Sequence, residues 1–139
     1  MEQLKTLYAE YHQKVTDLRQ KAHFFDGIMG FGDDPKKDPC HEAFYHAVKN
    51  WVEAFAATCP SPEDANEVAS FLIEAPAHNR EAESYWFMYA NMVFIEALIP
   101  YINSIYAKAL AKRMNFLFPR YDRMPAHQAV YKKLQQAGK

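Results

Sequence analysis

Cys40 and His41 come nearer to covalent chemistry, by residue type and placement, than any other neighbours in this chain. The preceding Asp38-Pro39 is a helix-start signal: an N-cap carboxylate, then a proline whose missing N–H costs nothing at the first helical position. Both residues therefore fall in a first helical turn, where unpaired amides and the helix dipole favour a thiolate. A histidine beside a thiolate is the beginning of a nucleophile–base pair or a redox sensor. Asp34, Asp38 and Glu42 crowd the same turn and oppose an anion, so an ordinary half-buried thiol is the competing reading.

Metal chemistry has less to work with. Two zinc-binding histidines on one helix must lie one turn apart, as in HExxH, whereas His41 and His46 are separated by five positions and their rings diverge. Helical bundles hold metals through Glu-x-x-His on two helices, but here the order is inverted and single, in His78-Asn-Arg-Glu81. Glu96 and His46 are the remaining candidate ligands, and they converge only if the topology brings their helices together. No serine triad, phosphate loop or dinucleotide fingerprint is present, so the motifs call for no cofactor or metal.

The elements that must position these groups read as helices throughout. Half of the 139 residues are apolar and 15% are aromatic, a composition that folds, and four glycines leave little material for the tight turns of an all-β chain. Leu4, Tyr8, Tyr11, Val15, Leu18, Ala22 and Phe25 alternate steps of four and three, which predicts a helix over about Glu2–Phe24. A glycine-bearing loop over 25–39 follows, read as a cap over one end of the bundle. The helix opened by Asp38 has Phe44, Val48, Trp51 and Phe55 as its expected buried side, widened by Tyr45 and Val52. Ser61-Pro-Glu-Asp64 repeats the start signal for a shorter helix that should stop before Pro76. A last basic helix spans about Ala126–Gln136, with Ala126, Ala129 or Val130, and Leu134 inward.

Between these lies the stretch that organises the rest, about 79–117, apolar on every side. Tyr85, Met92, Ile99 and Tyr106 form one row at seven-residue spacing, taken here as the interface row. Ala90, Ala97, Ser104 and Ala111 form a strip of small residues, so this helix can touch neighbours on both sides. Pro100 must kink or break it. Glu96, on a stripe with Tyr89 and Asn103, should face solvent or find a cationic partner. Those polar residues also argue against a membrane span.

The expected fold is all-α: a single-domain bundle of five or six helices around a long kinked central helix, comprising residues 1–139, with 119–139 a basic turn and helix. Charge is uneven: residues 1–107 hold eight Lys and Arg against sixteen Asp and Glu, while 108–139 hold eight against Asp122 alone. The basic tail is read as packing on an acidic body or partner, with nucleic acid as a further option. Cys40 and Cys59 form no CxxC pair and Met1-Glu2-Gln3 is polar, so the expectation is a reduced, cytoplasmic protein. The balance falls on a non-enzymatic domain acting through self-association or a protein partner. The alternative is a small ligand- or metal-binding protein, or a thiol-dependent enzyme, with its site at the 25–41 loop.

Overall fold

The computed structural model describes residues 1–28, 38–77, 85–119 and 124–139, with the side chains of 21–28 and of Tyr85 left aside. Among the described residues every regular element is helical: α1 (Glu2–Ile28), α2 (Pro39–Ala57), α3 (Pro62–Ala77), α4 (Tyr85–Glu96), a 3₁₀ turn (Ile99–Tyr101), α5 (Ser104–Leu117) and α6 (Pro125–Ala137). The chain divides into two compact units, Met1–Asn50 and Trp51–Lys139.

In the first unit, α1 buries the four-and-three seam expected of it: Leu4, Tyr8, Tyr11 and Val15 are all inside. The helix continues to Ile28 rather than ending at Phe24, so the expected 25–39 loop is shorter by a turn at its start. Residues 29–37 of that loop lie outside the described residues. Asp38 caps α2 as its sequence requires, Oδ1 accepting from the Cys40 amide at 2.8 Å. Tyr8 stands edge-on to Phe44, and Tyr11 stacks on the same ring at 4.0 Å between centroids, so α1 and α2 share an aromatic seam.

The buried line of α2 agrees with the expected one at Phe44, Val48 and Val52 and departs from it at Trp51 and Phe55. Phe44 and Val48 are inside and the line continues through Val52, while Trp51 and Phe55 are half-buried and stack on each other at 5.3 Å. A step of four keeps Val52 on the Val48 side of the helix, and the two larger rings shield each other along the flank.

The second unit packs α3 and α6 each against both α4 and α5. Its core is drawn from all four helices, including Leu72, Ile73, Phe87, Phe94, Met114 and Leu134. Ser61 caps α3, its Oγ accepting from the Asp64 amide at 3.2 Å. The helix does not stop before Pro76 but carries it in its last turn, ending at Ala77. So close to the end, the proline removes one hydrogen bond and no further turns depend on it.

Residues 79–84 of the expected central segment lie outside the described residues, and from Tyr85 to Leu117 it is two helices joined through a 3₁₀ turn. Pro100 sits within that turn, and the chain restarts when the Asn103 side chain accepts from the Tyr106 amide at 2.9 Å. Two ion pairs tie the halves to their neighbours: Arg113 of α5 to Glu74 of α3, and Lys133 of α6 to Glu96 of α4. No helix among the described residues is long and apolar enough to cross a membrane.

Candidate functional site

The polar cluster of the first unit is built by α1 and the opening turn of α2. The Tyr11 hydroxyl and His41 Nδ1 are joined by a 2.7 Å hydrogen bond, with the rings edge-on at 5.6 Å. Tyr11 is buried, and burial followed by the nearby Cys40 pushes its phenol well above the ordinary range. Asp38, which caps the helix, also engages Cys40. The amide and thiol of Cys40 hold its carboxyl below the usual range. The same arrangement acts oppositely on the thiol: burial, then the Asp38 carboxylate, pushes Cys40 up to about 11.

This geometry answers the question raised by the sequence. Cys40 and His41 are neighbours in the first turn of α2, and each has its own polar partner. His41 is committed to Tyr11, and the carboxylate beside the sulfur is an acceptor that favours the protonated thiol. The dipole and amides of the first turn, which alone would favour a thiolate, are outweighed by Asp38 and partial burial.

His46 is exposed and faces Glu42 one turn away at 3.5 Å, so it looks out from α2 while His41 is engaged with Tyr11. Glu96 is half-exposed and ion-paired with Lys133, the cationic partner its position asked for. His78 and Glu81 lie outside the described residues. Among the described residues no three His, Cys, Asp or Glu side chains are grouped to hold a metal ion.

A different set of residues stands out in the second unit. Among the described residues the exposed large hydrophobics are Trp86 and Tyr89 on α4 and Ile105 and Phe116 on α5. Tyr89 is 50% exposed, Ile105 75% and Phe116 74%. Ile105 and Phe116 are eleven positions apart, almost three whole turns, so they share one side of α5. The opposite side of α5, Ala107, Leu110, Ala111 and Met114, is buried. Lys108 and Lys112 are exposed along the Ile105–Phe116 side, and the Arg113 guanidinium lies over the Phe116 ring at 5.4 Å while holding Glu74.

The expected interface row is corrected by this arrangement. Met92 is 1% exposed and belongs to the core of its own unit, and Ile99 and Tyr106 are half-buried. Tyr85 is in the first turn of α4, its side chain undescribed. A seven-residue row presumes one continuous helix, and the 3₁₀ turn between Glu96 and Ser104 resets the angular register. The spacing of Ile105 and Phe116 becomes meaningful only once α5 is seen to start at Ser104. His127 was also missed: it is 1% exposed in α6, with its ring edge-on to Phe118. Its steps of three and four to Val130 and Leu134 were the available signal.

No protein-family model matches the chain, and neither a curated protein nor a solved structure shows significant similarity to it.

Proposed function

We propose that this chain is a non-enzymatic helical domain that works by association with a protein surface, through the outward faces of α4 and α5. The observation that carries the reading is the location of the exposed large hydrophobics: all four found among the described residues lie on these two helices. Trp86 and Tyr89 lie three positions apart on one side of α4, and covering an exposed apolar pair of this kind removes area from water at about 25 cal/mol per Å².

Self-association fits α4 best. Its only charged residue is Glu96 at the far end, and Trp86 and Tyr89 are of the types that dominate interface energetics. Two such faces meeting across a twofold axis bring no like charges together. The packing of α3 and α6 against both α4 and α5 supports the finer architectural reading, in which 85–117 is the pivot of its bundle. The raised Cys40 pKa weighs against a thiol-dependent enzyme at the start of α2.

Light scattering over a dilution series tests the assignment. A dimer is expected whose dissociation constant rises at least about tenfold in the Trp86→Ser/Tyr89→Ser variant, with its helical circular dichroism intact. A clean monomer at all concentrations, or a dimer indifferent to the double substitution, overturns self-association through α4.

A further inference from the structure

We infer that the outward side of α5 is a docking ridge for an acidic amphipathic helix supplied by another protein. Ile105 and Phe116 stand about 16 Å apart along the helix axis, the length of three turns. Ala109 lies between them on the same side. Lys112 lies in the same row between Ala109 and Phe116, so this side offers two large apolar groups three turns apart with a small residue and a cation between them, matching a partner helix that carries apolar anchors at both ends and an acid between them. The flanking charges choose the partner. α5 carries Lys108, Lys112 and Arg113 and no acid, and α6 beside it carries Lys132 and Lys133 and no acid. Glu74 and Glu96, contributed by α3 and α4, reach Arg113 and Lys133, leaving Lys108 and Lys112 exposed beside the apolar ridge.

The same charges disfavour a second copy here. A twofold contact of ridge on ridge sets Lys108 and Lys112 against their own counterparts, whereas the outer face of α4 carries a single charge, Glu96, already paired with Lys133. An alternative contact, ridge on the acidic first turn of a twin's α3, is heterologous and builds rings or open polymers rather than a twofold dimer. The inference rests on the reading that α4 and α5 serve association, but on a separate face from the one assigned to self-association.

The test uses the whole chain and a fluorescent helical peptide about 18 residues long, with Leu at three- and four-residue steps and Glu on the flanks; a second peptide has Lys in place of every Glu. Fluorescence anisotropy should show the Glu peptide binding at least about tenfold more tightly than the Lys peptide, with the preference shrinking as salt is raised. The Lys108→Glu/Lys112→Glu variant should reverse the preference. Ile105→Ser/Phe116→Ser should weaken binding at least about tenfold without altering helical content. Equal binding of both peptides, binding of neither, or a preference that survives the lysine reversal overturns the proposal. So does tighter retention of duplex DNA or of phosphatidylserine vesicles than of the Glu peptide at the same salt. If light scattering shows a dimer broken by the Ile105/Phe116 substitutions and not by those at Trp86 and Tyr89, the twin covers this ridge; the proposal then falls while association stands. A monomer that still selects the Glu peptide removes self-association and leaves this inference in place.

Discussion

Between α1 and α2 the packed rings carry polar tips, and the groups with chemical potential are turned toward one another: Tyr11 to His41, Cys40 to Asp38. In Trp51–Lys139 the arrangement is reversed. There the interior is filled by rings and aliphatic or thioether chains such as Phe87, Phe94 and Met114, while Ile105 and Phe116 are left in water. A histidine or cysteine draws the eye in a sequence, yet Cys40 and His41 already have polar partners in Asp38 and Tyr11. Exposed apolar groups at helical spacing, far plainer in a sequence, form the surface that we propose is used in association. The contrast teaches that what a side chain can do is set by whether its neighbours have already engaged it.

The sharpest blow to that contrast would be an interior of the second unit that tolerates loss. Phe94→Ala removes a fully buried ring and should destabilise the chain by about 3–5 kcal/mol, read from the midpoint and slope of urea unfolding. A cost under about 2 kcal/mol would mean that the site collapses around the deletion and is not close-packed. Next in size is the polar seam. Tyr11→Phe keeps the stack on Phe44 and deletes only the hydroxyl that meets His41, so a loss of about 1 kcal/mol is expected from the same measurement. No loss at all would make the Tyr11–His41 bond incidental, and the polar character of that seam would need another explanation.

Smaller still, and of opposite sign, is the junction after α2. Cys59 is exposed and has φ 53°, the left-handed conformation that commonly ends helices and suits glycine. Cys59→Gly should therefore raise stability by up to about 1 kcal/mol, because relief of the Cβ clash outweighs the added freedom of the unfolded chain. A destabilised variant would show that the cysteine side chain makes up for its backbone strain.

How much of this was readable beforehand follows from range. Local signals were reliable: Asp38 and Ser61 cap the helices they were expected to cap, and the seam of α1 is buried from Leu4 to Val15. Signals that depend on register across a break were not. Pro100 announced an interruption, but not that seven residues would separate α4 from α5 or that Asn103 would restart the chain, so Met92 was placed on a surface it does not reach. Pairings between distant elements, such as Glu74 with Arg113 and Glu96 with Lys133, depend on topology that no single helix encodes. The need of Glu96 for a cation was legible; which cation was not. The candidate site fared similarly, since the crowding of Cys40 by Asp38 could be seen in the sequence, while the capture of His41 by Tyr11 could not.

The finest discrimination between the two regions requires no change in stability at all. Iodoacetamide reacts with thiolates, so the rate at each cysteine reports the fraction deprotonated and its access. Cys59 is exposed, whereas Cys40 is half-buried and pushed up to about 11. Near neutral pH, mass spectrometry of the intact and digested chain should show Cys59 alkylated well before Cys40. The Cys40 rate should then climb about tenfold per pH unit and level off only near pH 11. The accompanying linkage has a definite sign. The folded thiol holds its proton more tightly than the unfolded one, so the unfolded chain deprotonates first and stability declines as pH rises from the ordinary thiol value of about 8.5 toward 11. Asp38→Asn removes the carboxylate that suppresses the thiol while leaving a side chain able to cap α2, and should bring the Cys40 plateau to lower pH. If Cys40 instead labels faster than Cys59 at neutral pH, the first unit holds an activated thiol after all, and the contrast between an internally satisfied seam and an outward-facing binding surface would have to be abandoned.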